Sequence, residues 1–486
     1  MKAFLITLAV AAVSFLDVAQ AGPLVGPATY YPGSTPFISF VQLSISDLAN
    51  VRNAQFQIAP KTGSATRPVN VKYSHKYLQT RGYLNRRLGQ LTVPVFGLYA
   101  GRDNAVTVTV GFRDGTSQVT NLTITTAAYD GGTYSNPTVI QARLPGTTLS
   151  YDFILLKSYA DPTTPIIIDS DAEVRWIGTA NIGTQDAAFF DNAFYLGAGT
   201  SLYRTEFDGT TTELANYSSI GVTGFHHNID PGKTGLILDV DTVDYTESVN
   251  LEVDKDGVVL KTWNLADIVS AAMTAGGDNP KQFVKKSPID WFHNNATAYR
   301  ASDNSLIVSS RENFVLGIDY DSGAIKWILG DSTKKWYLFP SLRAFALTLG
   351  PDTLPPIGQH AVSMPGDQLL LFDDGAGSNY QMPPGETRDY SAPRKYQLDL
   401  TAKTATEVWH YLPDPSIYSP FCSSVYEDAT DNYLIDYTLG GPYIFTGIVG
   451  LDGQGNKAFD YRYTELDFCG TAWNAAIIHW ENLQLK

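Results

Sequence analysis

Four of the seven histidines in this 486-residue chain fall in three short segments. GFHHNID carries His226 and His227, DWFHNNATAY carries His293, and IGQHAV carries His360. Each segment stands just upstream of a strand-like run. Arg311, in LIVSSREN, closes an otherwise apolar run. Taken singly, each histidine reads as a hydrogen-bonded structural residue. Their shared position at the head of a strand raises the functional reading above that one. Three or four imidazoles, a guanidinium and an amide suit two chemistries. One is metal ligation, since neutral imidazole is a common ligand. Against it, the histidine segments hold no acid other than Asp230 and Asp290, and no HExxH is present. The other is recognition of a tetrahedral oxyanion by fixed N–H donors, with one neutral imidazole attacking the central atom. His360 stands beside no cysteine and no adjacent carboxylate, only the strand-like run Leu369 to Phe372.

The elements that must bring these residues together read as β-structure. Val106 to Val110 and Leu122 to Thr126 are β-branched runs either side of the turn Asp114-Gly115. Residues 35 to 130 read as a small antiparallel sandwich, with Gly131-Gly132 and Asn136-Pro137 marking a linker. A pattern then repeats six times: a strand ends at an aspartate, a tight turn follows, and a second strand ends on an aromatic. The pairs are Asp169 with Trp176, Asp208 with Tyr217, Asp254 with Trp263, Asp319 with Trp327, Asp399 with Trp409, and Asp452 with Tyr461 or Tyr463. Such a repeat predicts one four-stranded blade per unit, each burying its face on its neighbours. Six blades closing in a ring make a β-propeller, whose central channel would gather the histidines. Ala475 to Leu485 could supply a closing strand. Residues 265 to 277 break the pattern with helical apolar spacing and a Gly-Gly stop. The expected fold is all-β: a signal peptide over 1–21, an N-terminal β-sandwich over 22–140 and a six-bladed propeller over 141–486.

Composition bounds the function. Lys2, an apolar run from Ala3 to Leu16 and Ala19-Gln20-Ala21 read as a cleaved signal peptide, hence a secreted or periplasmic protein. No later run is long enough to span a bilayer. The net charge of −15 leaves no basic stripe for nucleic acid or an anionic membrane. In an exported chain the two cysteines, Cys422 and Cys469, read as a disulfide. Glycosylation acceptors stand at Asn121, Asn216 and Asn295. No GxxxxGK[ST] phosphate loop is present.

DWFHNNA followed by SSREN, with Arg311 eighteen residues after His293, resembles the active-site signature of bacterial arylsulfate sulfotransferases. LGIDYDSGAIKWILG, GQHAV…LLLFDDG, APRKYQLDL…EVWHY and YSPFCSSVYED extend the likeness over residues 165 to 440. The resemblance implies a six-bladed propeller after a small β-domain, and transfer of a sulfuryl group from an aryl sulfate to a phenol without a nucleotide donor. It implies no cofactor, no metal, and small-molecule partners; the family is often dimeric. By motif, His360 matches the nucleophile that forms a sulfohistidine, and Arg311 the charge-neutralising arginine. His293 and Asn295 match the pair that holds the sulfuryl oxygens. One of His226 and His227 matches a further donor, and the sequence does not fix which. The family's HHD segment reads His226-His227-Asn228 here, with an amide for the acid. Its close-spaced cysteines are replaced by a distant pair. Rival readings are a secreted binding module for sulfated or phenolic ligands, an arylsulfatase-like hydrolase, a metalloenzyme and a quinone-dependent propeller. Trp291, Phe292 and Tyr418 are candidate aromatic lining.

Overall fold

The computed structural model describes residues 23–158, 165–182, 184, 186–465 and 468–486. The expected signal peptide lies outside them. Strands dominate, forming eight sheets among the described residues. No helix there is long and apolar enough to cross a membrane.

Two sheets form the N-terminal part. One holds Thr29–Pro32, Ile38–Ser44, Gln90–Phe96 and Leu84–Asn85. The other holds Val69–Ser74, Val51–Ile58, Asp103–Phe112 and Ser117–Thr125. Alternate residues such as Ala54, Phe56 and Ile58 point into one core, the period of a half-buried strand. The chain's last strand, Leu483–Leu485, adds to this second sheet in parallel with Val71–Tyr73.

Six mainly antiparallel sheets follow, each with four consecutive meander strands or their equivalent. The first takes Phe153–Lys157, Ile166–Asp169 and Val174–Ile177 from the start of the region, and Asn474–Ile478 from its end. The second runs from Ala187 to Asn216, the third from Val222 to Asn264 and the fourth from Asn294 to Leu329. The fifth contains His360–Ser363, Leu369–Asp373, Ala392–Asp399 and Thr404–His410, and the sixth Ser424–Glu427 through Lys457–Thr464. Many four-stranded sheets in series fit a propeller.

The sequence repeat has a physical cause. Each of its aspartates ends a third strand and accepts backbone N–H bonds across the turn. Asp169 Oδ1 takes Asp171 N and Glu173 N, both at 3.0 Å. Asp254 Oδ1 takes Asp256 N at 3.0 Å and Val258 N at 2.9 Å. Asp452 Oδ1 takes Gln454 N and Asn456 N at 3.0 Å. Asp208, Asp319 and Asp399 do the same with residues two or three further on. These are side-chain turns, the reason aspartate is favoured there. The aromatics close the gap to the next sheet. Trp176 Nε1 donates to Phe207 O at 3.1 Å, Tyr217 Oη to Gly257 O at 2.8 Å and Trp263 Nε1 to Tyr320 O at 3.2 Å. Trp409 stacks on Tyr433 at 3.9 Å. Tyr461 Oη donates to Ser170 O at 2.6 Å, from the sixth sheet back to the first.

The expected helix runs Leu265–Ala275. Asn264 caps it, accepting from Ala266 N and Asp267 N at 3.1 and 3.2 Å. The N-terminal sheets sit on the first and second of the six. Phe96 stacks on Phe207 at 4.1 Å, and Trp480 meets both edge-on at 5.3 and 5.7 Å. Arg175, buried, donates to Gly97 O and lies 3.6 Å from the Tyr99 ring centre. Trp480→Ala, which empties this joint, should cost about 3–5 kcal/mol. Urea unfolding followed by far-UV circular dichroism checks it.

Candidate active site

The inner strands of the third, fourth and fifth sheets are irregular at the histidines. Register shifts fall between Phe225 and Ile229, between Asn294 and Ala296, and between His360 and Ser363. His227 and His293 take left-handed φ of 56° and 54°, and Ala361, next to His360, takes 54°. Such bulges re-aim a side chain out of the strand's alternation, and left-handed non-glycine residues are costly and cluster at functional sites. Gly358 has φ 62°, and a Cβ there would meet Ala376 O at 2.6 Å, so the GQH turn requires glycine. Gln359 anchors that turn by donating to Ser310 O at 2.7 Å.

Three imidazoles converge on one cavity of about 610 Å³. Ring centres of His227 and His293 lie 4.6 Å apart, with His360 at 6.2 and 6.5 Å from them. Carboxylates on the outer side commit one nitrogen of two rings. His293 Nδ1 bonds Asp290 and lies 2.8 Å from Glu247, while its N–H donates to Asp290 Oδ1 at 2.9 Å. His360 Nδ1 faces Gly358 O at 3.2 Å and Asp374 Oδ2 at 2.8 Å. A carbonyl only accepts, so Nδ1 carries the hydrogen and Nε2 keeps its lone pair. No carboxylate adjoins His360 in sequence, but Asp374, fourteen residues on, is brought beside it by the pairing of its strand.

The neighbours set different charges on the three rings. Burial, which would lower His293, is outweighed by Glu247 and Asp290, and the ring is pushed up to about 10. Burial pushes His227 down to about 3, with Glu247 opposing and His293 adding. Burial, then His227, Arg311 and His293, hold His360 well below the ordinary imidazole value. Burial also lifts the Asp374 carboxyl. Near neutral pH the site thus holds one cationic imidazole and two neutral ones. Burial would raise Glu247, but His293 and His227 hold it well below the usual carboxylate range.

Arg311 is 1% exposed and lines the same cavity. Its Nη1 donates to Glu312 Oε1 at 2.8 Å and its guanidinium sits 4.5 Å from the Phe421 ring centre. Nε and Nη2 have no hydrogen-bond partner among the described residues. Buried donors of this kind call for an acceptor, and an anion satisfies both. Its position is fixed by its own N–H donating to His293 O at 3.0 Å and by Lys334 Nζ donating to its carbonyl at 3.1 Å.

Four of the six residues singled out from sequence, His227, His293, Arg311 and His360, line the cavity. His226 and Asn295 do not. His226 lies behind His227, Nδ1 to Nδ1 at 3.1 Å. Asn295, wholly buried, donates to Gln359 O at 2.9 Å and so braces the turn that carries His360. Trp291 and Phe292 are corrected: both are wholly buried in the core beside the helix, and with Tyr418 they lie outside the lining. The aromatic walls are Tyr380, Phe421, Phe468 and Trp473, with the Cys422–Cys469 disulfide between them. Sequence reasoning missed Glu247, Asp374 and these walls. Asp290 and Asp374 had a signal, in DWFHNN and in LLLFDDG; Glu247, in DYTESVN, had none.

One nitrogen from each of His227, His293 and His360 lies within 4.8 Å of the others, a spacing a transition metal could use. Glu247 and Asp290 both meet His293 at Nδ1, so a metal would bind the other ring nitrogen and displace the second proton that makes this ring cationic. Anion recognition keeps that proton and uses it. Glu247→Gln should bring the His293 titration down from about 10 toward the ordinary 6.5, as NMR of the imidazole carbons would read. The raised value stabilises the fold fully below about 6.5, and this is lost as pH rises through about 10. The stability gap between the variant and the parent should therefore close over that window.

The family model "Arylsulfotransferase (ASST)" matches residues 138–458, and "Arylsulfotransferase Ig-like domain" matches residues 46–127. Among curated proteins, the arylsulfate sulfotransferase AssT of Escherichia coli O6:H1 is 29% identical over 262 residues, covering 44% of this chain and 43% of that protein. AssT of Lelliottia amnigena is 26% identical over 219 residues, covering 36% of each. The matched stretch thus spans less than half the length of these relatives.

Proposed function

The chain belongs to the arylsulfotransferase family, and on that footing we propose that it carries a sulfuryl group from an aryl sulfate ester to a phenol through His360. The carrying observation is the cavity's donor set. Two unpartnered nitrogens of buried Arg311 and a cationic His293 share the cavity with a neutral His360 whose Nε2 keeps its lone pair.

The reaction is ping-pong. The sulfate oxygens take the free N–H groups of Arg311, with His227 beside them. His360 Nε2 attacks sulfur; the N–S bond forms and the bond from sulfur to the aryl oxygen breaks. The phenolate leaves with that electron pair and takes the proton of His293. An acid held near 10 matches the basicity of a phenolate, where proton transfer is most effective. The sulfated His360 ring is cationic, and Asp374 at Nδ1 offsets that charge. In the second half His293, now neutral, accepts the acceptor phenol's proton as its oxygen attacks sulfur, and His360 is released. Arg311 stabilises the charge on the equatorial oxygens throughout. His226 and Asn295 act as positioning residues behind His227 and His360. No nucleotide donor enters.

Behind this reading stands a six-bladed propeller over 141–486 after an N-terminal β-sandwich over 22–140, with the last strand, Leu483–Leu485, crossing back to the sandwich. The pairing of Asn474–Ile478 with Phe153–Lys157 favours a closed ring, as does the bond from Tyr461 to Ser170. The disulfide suits an exported protein with a cleaved leader.

Purified protein with 4-nitrophenyl sulfate should release nitrophenolate, faster when phenol is added, and His360→Asn should abolish release. Arg311→Gln should lower the rate on the order of a hundredfold. Release indifferent to phenol would point to a sulfatase, and loss of activity on chelation to a metal site. No release from folded protein would leave a binding module. With phenyl sulfate, whose leaving group needs the His293 proton, the rate should fall above pH about 10.

A further inference from the structure

The Cys422–Cys469 disulfide is part of the site wall, and each cysteine directly follows a phenylalanine of that wall. Phe421 and Phe468 come from chain segments 47 residues apart, measured between their cysteines. The first precedes the inner strand Ser424–Glu427; the second lies between Lys457–Thr464 and the strand Asn474–Ile478. Their ring centres are 5.2 Å apart at an interplanar angle of 55°. Phe421 is fixed from the other side by the Arg311 guanidinium at 4.5 Å. Phe468 is 61% exposed, while Trp473, five residues on, is buried against Cys469 and Leu439. Cys422, Ser423 and Cys469 all take left-handed φ, of 63°, 73° and 59°. Strained backbone and a covalent tie therefore hold a half-open aromatic pair beside the sulfuryl-binding floor. An exposed phenylalanine gains by covering an aromatic ligand, since such ring pairs add to ordinary area burial.

We propose that the disulfide-tied pair Phe421 and Phe468 is the aryl-ring site for both donor and acceptor, and that it selects a phenol over water as the sulfuryl acceptor. This rests on the transfer reading above. In the sulfated state both acceptors face the same N–S bond. A phenol attacks with its oxygen, gives its proton to His293 and leaves as the aryl sulfate. Water does the same and leaves as inorganic sulfate. A ring laid against the phenylalanine pair both orders the phenol and covers the bond from solvent. Cutting the tie frees Phe468, loosens the ring's seat and opens the bond to water, without touching His360 or Arg311.

The test compares the parent, Phe468→Ala and the Cys422→Ser/Cys469→Ser double variant. With 4-nitrophenyl sulfate and phenol, aryl sulfate and inorganic sulfate are both quantified per nitrophenolate released. The expected result is a KM for phenol raised about tenfold, the loss of roughly 1.4 kcal/mol of binding, and a product ratio shifted toward inorganic sulfate in both variants. Unchanged KM and product ratio in both would overturn the proposal. Phe468 is exposed, so Phe468→Ala keeps the test valid if the double variant fails to fold. Calorimetry of 4-nitrophenol binding to His360→Asn, with and without Phe468→Ala, separates the two readings. Weakened binding there supports the aryl site even if no turnover is seen in the parent, and equal binding rejects it.

Discussion

Four of the six sheets of the large region are joined to the next by an aromatic side chain seated on a turn that an aspartate has closed. The aspartate satisfies backbone N–H groups that a tight turn would leave unpaired, and the turn then offers a carbonyl to the neighbour. Trp176, Tyr217 and Trp263 reach such carbonyls, and Tyr461 reaches Ser170 in the first sheet. The large ring buries area, and its polar tip fixes direction. Everything at the site depends on this spacing, because the three histidines belong to three different sheets. A shift of about 1 Å between sheets would separate imidazoles that line one cavity.

The second constraint is electrostatic. Three imidazoles this close would repel if all were charged, and would be poor acids if none were. The structure divides them by uneven access to carboxylates. Glu247 and Asp290 both reach His293 and keep its proton. His227 has only a distant share of Glu247, at 3.6 Å, and burial keeps it neutral. His360 has Asp374 at Nδ1, but burial, and then His227, Arg311 and His293, disfavour a second charge. One fold region thus holds one charged and two neutral rings of the same residue type.

Local strain gives the aim. His227, His293 and the residue after His360 occupy left-handed backbone, and the strand register slips at each. A regular strand would send alternate side chains into the packed faces between sheets. The slip turns the histidines out of that alternation, at a cost of about 1–3 kcal/mol for each such residue. The core around the strands, wholly buried at positions such as Leu306, Val308, Leu369 and Leu371, is firm enough to hold it.

The sequence by itself determined what depends on neighbours along the chain. The aspartate turns, the aromatic strand ends and the helix after Asn264 were legible, because each follows from local hydrogen bonding and side-chain period. The histidines stood out by rarity and by their place before strands, and the family likeness of their motifs pointed to a chemistry for them. Tertiary structure alone decided what depends on distance. It set His227 at the cavity and His226 behind it, a choice that two adjacent residues of one type cannot signal. It brought Glu247 to His293 from another segment and Asp374 to His360 across a strand pair. It buried Trp291 and Phe292 in a core and put Phe421, Phe468 and Trp473 on the wall instead. An aromatic residue in sequence carries no mark of which surface it will face. Charge, too, was settled only by packing, since an imidazole becomes acid or nucleophile according to the carboxylates folded against it.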